Sequence, residues 1–123
     1  MFDMELSVVG HGGHAVVALW GELRLADAPA LASHLMTAVA ACGPSVIVNL
    51  ADLSFIDHCG LEVLVRVLLW TRESGGDMVL AAPQQSVRKA LSVTGLIETF
   101  SVYPSAEQAV TGLRRAPLVA AAL

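Results

Sequence analysis

The stretch that decides the fold is residues 45–61, SVIVNLADLSFIDHCGL. Its first six residues are rich in β-branched and apolar side chains on both faces, which predicts a central strand covered on at least one side. Residues 57–60, DHCG, then begin a long helix with a wide apolar face. That face comprises Leu61, Leu64, Val65, Leu68 and Leu69.

The chain before this stretch has the pattern of a hairpin. Apolar strands are predicted at residues 4–9 and 14–20, on either side of a glycine-rich turn at residues 10–13. Gly21 is expected to end the second strand.

Helices and strands alternate through the rest of the chain. Asp27 can cap the first helix, Pro29 is tolerated in its first turn, and residues 42–44 end it. The later elements are a strand at 78–81, a helix at 84–93, a short strand at 100–103 and a helix from 105 to about 115. The order β-β-α-β-α-β-α-β-α predicts an α/β fold with a mixed, mostly parallel sheet of about five strands and four helices.

Length and composition indicate one globular domain. The 123 residues suit a single domain, and 55% apolar against 15% charged residues excludes a disordered chain. We expect the domain to span residues 1–115 and residues 116–123 to form a disordered tail. No uncharged apolar run reaches the 18 residues of a membrane span, and the acidic start carrying Asp3 and Glu5 is unlike a signal peptide. A cytoplasmic protein is expected.

The charge pattern argues against nucleic-acid binding. The net charge is −4, and basic residues cluster only as the pairs Arg88-Lys89 and Arg114-Arg115. Counterion release from a phosphate backbone needs many more cations on one face.

Three stretches together resemble the STAS domain, the fold of bacterial anti-sigma factor antagonists and of sulfate-transporter tails. They are residues 19–31, 46–61 and 87–105, and the resemblance extends over about residues 3–113. The resemblance implies a protein-binding module that is not an enzyme and carries no cofactor. Stand-alone members bind an anti-sigma factor, typically a serine kinase of the histidine-kinase-like ATPase type, and thereby free a sigma factor.

The same resemblance implies a partner-binding face around the start of the long helix. Arg24 and His58 would set its charge complementarity, Cys59 would lie at its centre, and Gly60 would permit close backbone approach. The residues assigned to this face are Glu22, Arg24, Asp57, His58, Cys59, Gly60 and Glu62. A monomer or a weak homodimer is expected.

Two positions depart from the family pattern. Members controlled by phosphorylation carry a serine or threonine just before the glycine of this loop, where this chain has Cys59. A serine kinase does not use a thiol as its ordinary acceptor, so the usual switch is expected to be absent. Arg24 stands where the family commonly has an aspartate, which favours a different choice of partner.

Other interpretations of these residues stay open. Cys59 at a helix N-terminus could be a redox-responsive thiol or simply a packed, serine-sized residue. The chain could also be a STAS scaffold that binds another STAS protein or a small ligand. Consecutive residues seldom converge as a triad, which argues against catalysis by Asp57, His58 and Cys59.

The cysteines and histidines are not expected to form covalent or metal sites. A Cys42–Cys59 bridge is disfavoured, because the strand between them spans about 20 Å. Four histidines at positions 11, 14, 34 and 58 do not have metal-ligand spacing, and a solvated surface role is expected for each.

Overall fold

The computed structural model of the chain describes residues 4–11 and 14–112, and its elements follow the predicted order. The strands are β1 (Met4–His11), β2 (His14–Leu23), β3 (Ser45–Ile56), β4 (Met78–Ala81) and β5 (Val102–Tyr103). The helices are α1 (Ala28–Cys42), α2 (His58–Glu73), α3 (Gln85–Val93) and the helical residues 106–112, called α4. Two 3₁₀ turns, Leu25–Asp27 and Leu96–Glu98, precede α1 and follow α3.

The five strands form one mixed sheet in the order β1-β2-β3-β4-β5. β1 pairs antiparallel with β2, and every later neighbour is parallel. Parallel strands in sequential order, joined by right-handed crossovers, place their connecting helices on one face of the sheet. The predicted α/β fold with a mostly parallel sheet is therefore confirmed.

Alternate residues of the central strands supply two separate apolar layers. Val46, Val48 and Leu50 of β3 join the large core beneath α1, α2 and α3. Ile47, between them on the opposite face, packs with Ala109 of α4. This burial on both faces is what the run of β-branched residues predicts.

Two strands extend further than the sequence pattern indicates. β2 does not end at Gly21 but continues to Leu23, and β3 continues to Ile56. The β2–β3 register shifts between Gly21 and Glu22, and Gly21 has φ +96°, a conformation that glycine adopts without strain. The glycine marks an irregularity in the strand instead of its end.

The first helix is capped differently from the expectation. Asp27 occupies the N-cap position of α1, but its side chain accepts no hydrogen bond from that helix. Its Oδ2 instead accepts from the backbone N–H of Arg24 at 3.1 Å, across the 3₁₀ turn. Pro29 lies in the first turn of α1, as predicted.

Two residues have environments unlike those expected. His14 is buried, so a solvated role is wrong for it; His34 and His58 are exposed. Leu69 is expected on the apolar face of α2, but its side chain is 53% exposed because it lies on the side of the helix that faces solvent. The end of the last helix and the tail at residues 116–123 lie outside the described residues.

Within the described residues, one helical stretch is long and apolar enough to meet the criteria for a membrane span. It is Leu25–Cys42, the first 3₁₀ turn together with α1, with a mean hydropathy of 1.3. Leu31 and Leu35 of this stretch are fully buried against the sheet. The core helix of a globular domain can meet the same criteria of length and composition.

Substitutions on opposite sides of α2 test which face the helix buries. Leu64→Ala is expected to lower the free energy of unfolding by about 2–5 kcal/mol, because Leu64 is fully buried. Leu69→Ala is expected to cost less than about 1 kcal/mol, because Leu69 is half exposed. Urea denaturation followed by circular dichroism measures both, and equal losses would contradict this orientation of α2.

Candidate functional site

The start of α2 lies at the edge of the sheet where β2 and β3 both end. Leu23 and Ile56, the last residues of these strands, are paired neighbours. The backbone N–H of Asp57 extends the pairing by donating to the carbonyl of Leu23 at 3.0 Å. The loops that follow the two strands are thereby held side by side.

Asp57 joins these two loops through both oxygens of its carboxylate. Oδ1 accepts from the backbone N–H of Gly60 at 3.0 Å and so caps α2. Oδ2 accepts from the backbone N–H of Leu25 at 2.9 Å, which fixes the 3₁₀ turn after β2. One side chain therefore sets the position of α2 relative to the turn carrying Arg24 and Leu25.

Gly60 has a structural role that differs from the expected one. It is buried, and a Cβ placed there would lie 2.7 Å from Cγ of Leu23 and 2.9 Å from Cγ1 of Ile56. The groups that approach this glycine closely are Leu23 and Ile56, at the ends of β2 and β3, and not the backbone of a partner. Gly60 lets α2 begin against the sheet, and it does not itself offer an exposed contact.

Arg24 is engaged with two neighbouring side chains. Its Nη2 lies 3.0 Å from Oε2 of Glu22, forming an exposed ion pair. Its guanidinium carbon lies 4.4 Å from the centroid of the Phe55 ring, within the range of a cation–π contact. Arg24 thus presents a flat, positively charged group whose charge is balanced by Glu22.

A second polar pair lies on the first turns of α2. Nε2 of His58 is 2.8 Å from Oε1 of Glu62, one helical turn further along. Both side chains are exposed, so the pair costs little to separate when a partner binds.

Cys59 lies between these groups and is half-buried against the core. Cys42 and Cys59 are both free thiols, in agreement with the disfavoured bridge. His58 contacts Glu62, and both Asp57 oxygens accept from backbone N–H groups, so the three consecutive side chains have separate partners. Over the described residues, no group of three metal-ligating side chains comes together.

Three apolar features of this surface were not predicted from the sequence. Leu25 is 66% exposed beside the start of α2, and Phe55 lies beneath Arg24. A groove of about 480 Å³ runs between α2 and the end of α3. It is lined by His58, Leu61, Glu62, Val65, Arg66, Thr94 and Leu96.

No clear pattern in the sequence indicates these features. The two sides of the groove are about thirty residues apart in the chain, and only tertiary packing brings them together. An exposed leucine in a short turn has no distinguishing pattern either, since single apolar residues occur on most protein surfaces.

Removal of the Asp57 carboxylate tests its role in joining the two loops. Asp57→Ala is expected to lower the free energy of unfolding by about 1–3 kcal/mol, because the cap of α2 and the acceptor for Leu25 are both lost. Asp52→Ala, at an exposed carboxylate of β3, is the matched control and should change it by less than about 0.5 kcal/mol. Thermal or urea unfolding measures both, and a similar small change in the two variants would contradict the assigned role.

Comparison with known proteins agrees with this fold over nearly the whole chain. The model of the STAS domain family matches residues 5–109. The anti-sigma-F factor antagonist RsfB of Mycobacterium tuberculosis is 29% identical over 115 residues, which cover 91% of each chain.

Solved structures show the same architecture. An anti-sigma factor antagonist from Mycobacterium paratuberculosis has a TM-score of 0.81 at 29% identity, covering 90% of this chain and 94% of that one. Unphosphorylated SpoIIAA has a TM-score of 0.78 at 22% identity, covering 89% and 96%, which is a likeness of fold. From the sheet order, the cap of α2 and the match over residues 5–109, the chain belongs to the STAS domain family.

Proposed function

We propose that this protein binds an anti-sigma factor of the histidine-kinase-like ATPase type and so frees a sigma factor. The proposal is supported by relatives of matching length that are named anti-sigma factor antagonists. The mechanism is competition, in which this chain and the sigma factor cannot occupy the anti-sigma factor together. The protein acts in the cytoplasm as a binding module and needs no cofactor.

The first turn of α2 carries the proposal. Cys59 occupies the position that matches the family's phospho-acceptor, next to the capped Gly60. A phosphoryl group there would add about 1.5 to 2 negative charges to the docking surface. A thiol is not an ordinary acceptor for a serine kinase, so the protein stays competent to bind in the presence of ATP.

The binding surface combines two polar pairs with an apolar anchor. The Arg24–Glu22 pair lies next to Leu25, whose backbone Asp57 joins to the start of α2, and the His58–Glu62 pair lies on the first turns of α2; the Leu25 side chain is exposed. Polar pairs at an interface select a partner by charge, whereas a central apolar residue supplies much of the affinity. Asp57 and Gly60 fix the backbone of this surface by hydrogen bonding and close packing, and Cys59 belongs to the same turn of α2.

Partner recovery is the direct experiment. The tagged protein is incubated with lysate of the native host, and bound proteins are identified by mass spectrometry. Recovery of an ATPase-type anti-sigma factor is expected. Recovery of another STAS protein, or of no such ATPase under several growth conditions, would contradict the proposal and favour a scaffold role.

A serine at position 59 is expected to restore the switch. With the recovered kinase and ATP, Cys59→Ser should gain a phosphate and lose binding, because the new hydroxyl lies at the acceptor position. The wild type and the matched control Cys59→Ala should stay unmodified and bound. Mass spectrometry and pull-down measure the two effects, and phosphate on the wild type at Cys59 would refute the unswitched mechanism.

A charge at the apolar anchor is expected to weaken partner binding. Leu25→Asp should raise the Kd for the anti-sigma factor about tenfold or more, because burying an unpaired carboxylate is unfavourable. Val93→Asp is the control, since Val93 is 77% exposed and lies outside the assigned surface. Calorimetric titration compares the two, and equal Kd values would exclude Leu25 from the interface.

A further inference from the structure

The two edges of the sheet are protected to very different degrees. β5, at one edge, pairs over only two residues, and short edge strands discourage further pairing. β1, at the other edge, is eight residues long. Its sequence MELSVVGH contains no lysine or proline, the residues that commonly block strand addition.

Side chains on β1 are exposed where a further strand would pack. Residues 7–10 are all exposed, and they include Val8 at 40% and Val9 at 60%. The one acidic residue of the strand, Glu5, accepts a hydrogen bond from Nε1 of Trp20 at 2.8 Å. The Glu5 carboxylate is therefore held toward β2, and it does not place a charge at the outer edge of β1 that would discourage strand addition.

A groove of about 410 Å³ lies at the same edge. It is lined by Met4, Glu5, Leu6, Trp20, Ala30 and His34. Met4 and Leu6 point toward the helices, whereas Glu5 between them points to the opposite face. A groove lined by residues of both faces opens at the strand edge, where it can receive side chains from a neighbouring strand.

We propose that β1 pairs antiparallel with β1 of a second copy of this chain, with the two-fold axis at Ser7. Antiparallel pairing of identical strands is symmetric and closes after two copies. Paired residues must share a face, and an axis at Ser7 places Val8 of each copy opposite Leu6 of the other. Val9 then lies opposite Glu5, so both exposed valines reach the groove.

The size of this contact predicts a weak dimer. Residues 4–10 of the two copies pair about this axis, seven residues that extend over about 24 Å, and one strand pair buries less than the roughly 1,600 Å² of a standard interface. The two copies carry a net charge of −4 each, but β1 itself brings only Glu5 to the contact. The two-fold axis directs the α2 N-termini of the two copies to opposite ends, so each copy can bind its own partner.

Sedimentation velocity over a range of concentrations tests the dimer. The wild type should form dimers between about 10 μM and about 1 mM, the range expected of a small interface. The variant Val8→Lys should raise the dimer Kd at least tenfold, because it places a charged side chain on the edge strand opposite the apolar Leu6 of the other copy. The matched control Val93→Lys should dimerise as the wild type does, and circular dichroism checks that all three fold.

Cysteine cross-linking tests the register independently. In a Cys42→Ala/Cys59→Ala background, Ser7→Cys should form a disulfide dimer on mild oxidation, because the two Cα atoms lie about 5 Å apart across the axis. Val9→Cys should not, since its two copies are displaced by four residues, about 13 Å along the strand.

Three outcomes would overturn the proposal. They are a wild type that stays monomeric throughout the range, a dimer unaffected by the lysine variant, and cross-linking through position 9 but not 7. If the lysine variant does not fold, hydrogen exchange of the wild type decides. Those amides of residues 5–10 that point away from β2 must then gain protection as concentration rises, and unchanged exchange refutes the dimer.

Discussion

The carboxylate of Asp57 is the constraint on which the proposed binding surface of this molecule depends. One oxygen caps α2 and the other fixes the turn after β2, while its backbone N–H extends the pairing to Leu23. A single residue therefore connects a helix, a turn and a sheet edge. Without that connection, Leu25 and Arg24 would have no fixed position relative to the start of α2.

Local packing leaves no room for a side chain at position 60, where the sheet meets α2. Gly60 begins α2 in contact with Leu23 and Ile56, where any Cβ would overlap them. The surface above is made of groups that already have partners, since Glu22 balances Arg24 and Glu62 contacts His58. A partner must offer a better arrangement of charge to displace these pairs, and this requirement favours selectivity over affinity.

The β1 edge of the sheet is a second proposed contact surface, separate from the surface at the start of α2. The proposed binding surface lies where β2 and β3 finish, whereas β1 forms one edge of the sheet. Contacts at these two places do not compete for the same residues. A dimer through β1 would double the number of binding surfaces without covering either one.

The sequence by itself determined the order of elements and the mixed, mostly parallel sheet. Hydrophobic periodicity reports the local face of each strand and helix, so these features can be recognised without a structure. The resemblance indicated which turn is proposed to bind a partner and that Cys59 departs from the family pattern. These are properties of contiguous residues.

Tertiary structure alone decided which side chains meet across distant segments. The sequence did not indicate that Arg24 lies on Phe55, that Asp57 accepts from Leu25, or that Gly60 serves the strand ends. It misplaced the end of β2 at Gly21 because a bulge and a strand end require the same conformational freedom. Such contacts depend on register and crossover geometry, which bring together residues about thirty positions apart and leave no local pattern in the chain.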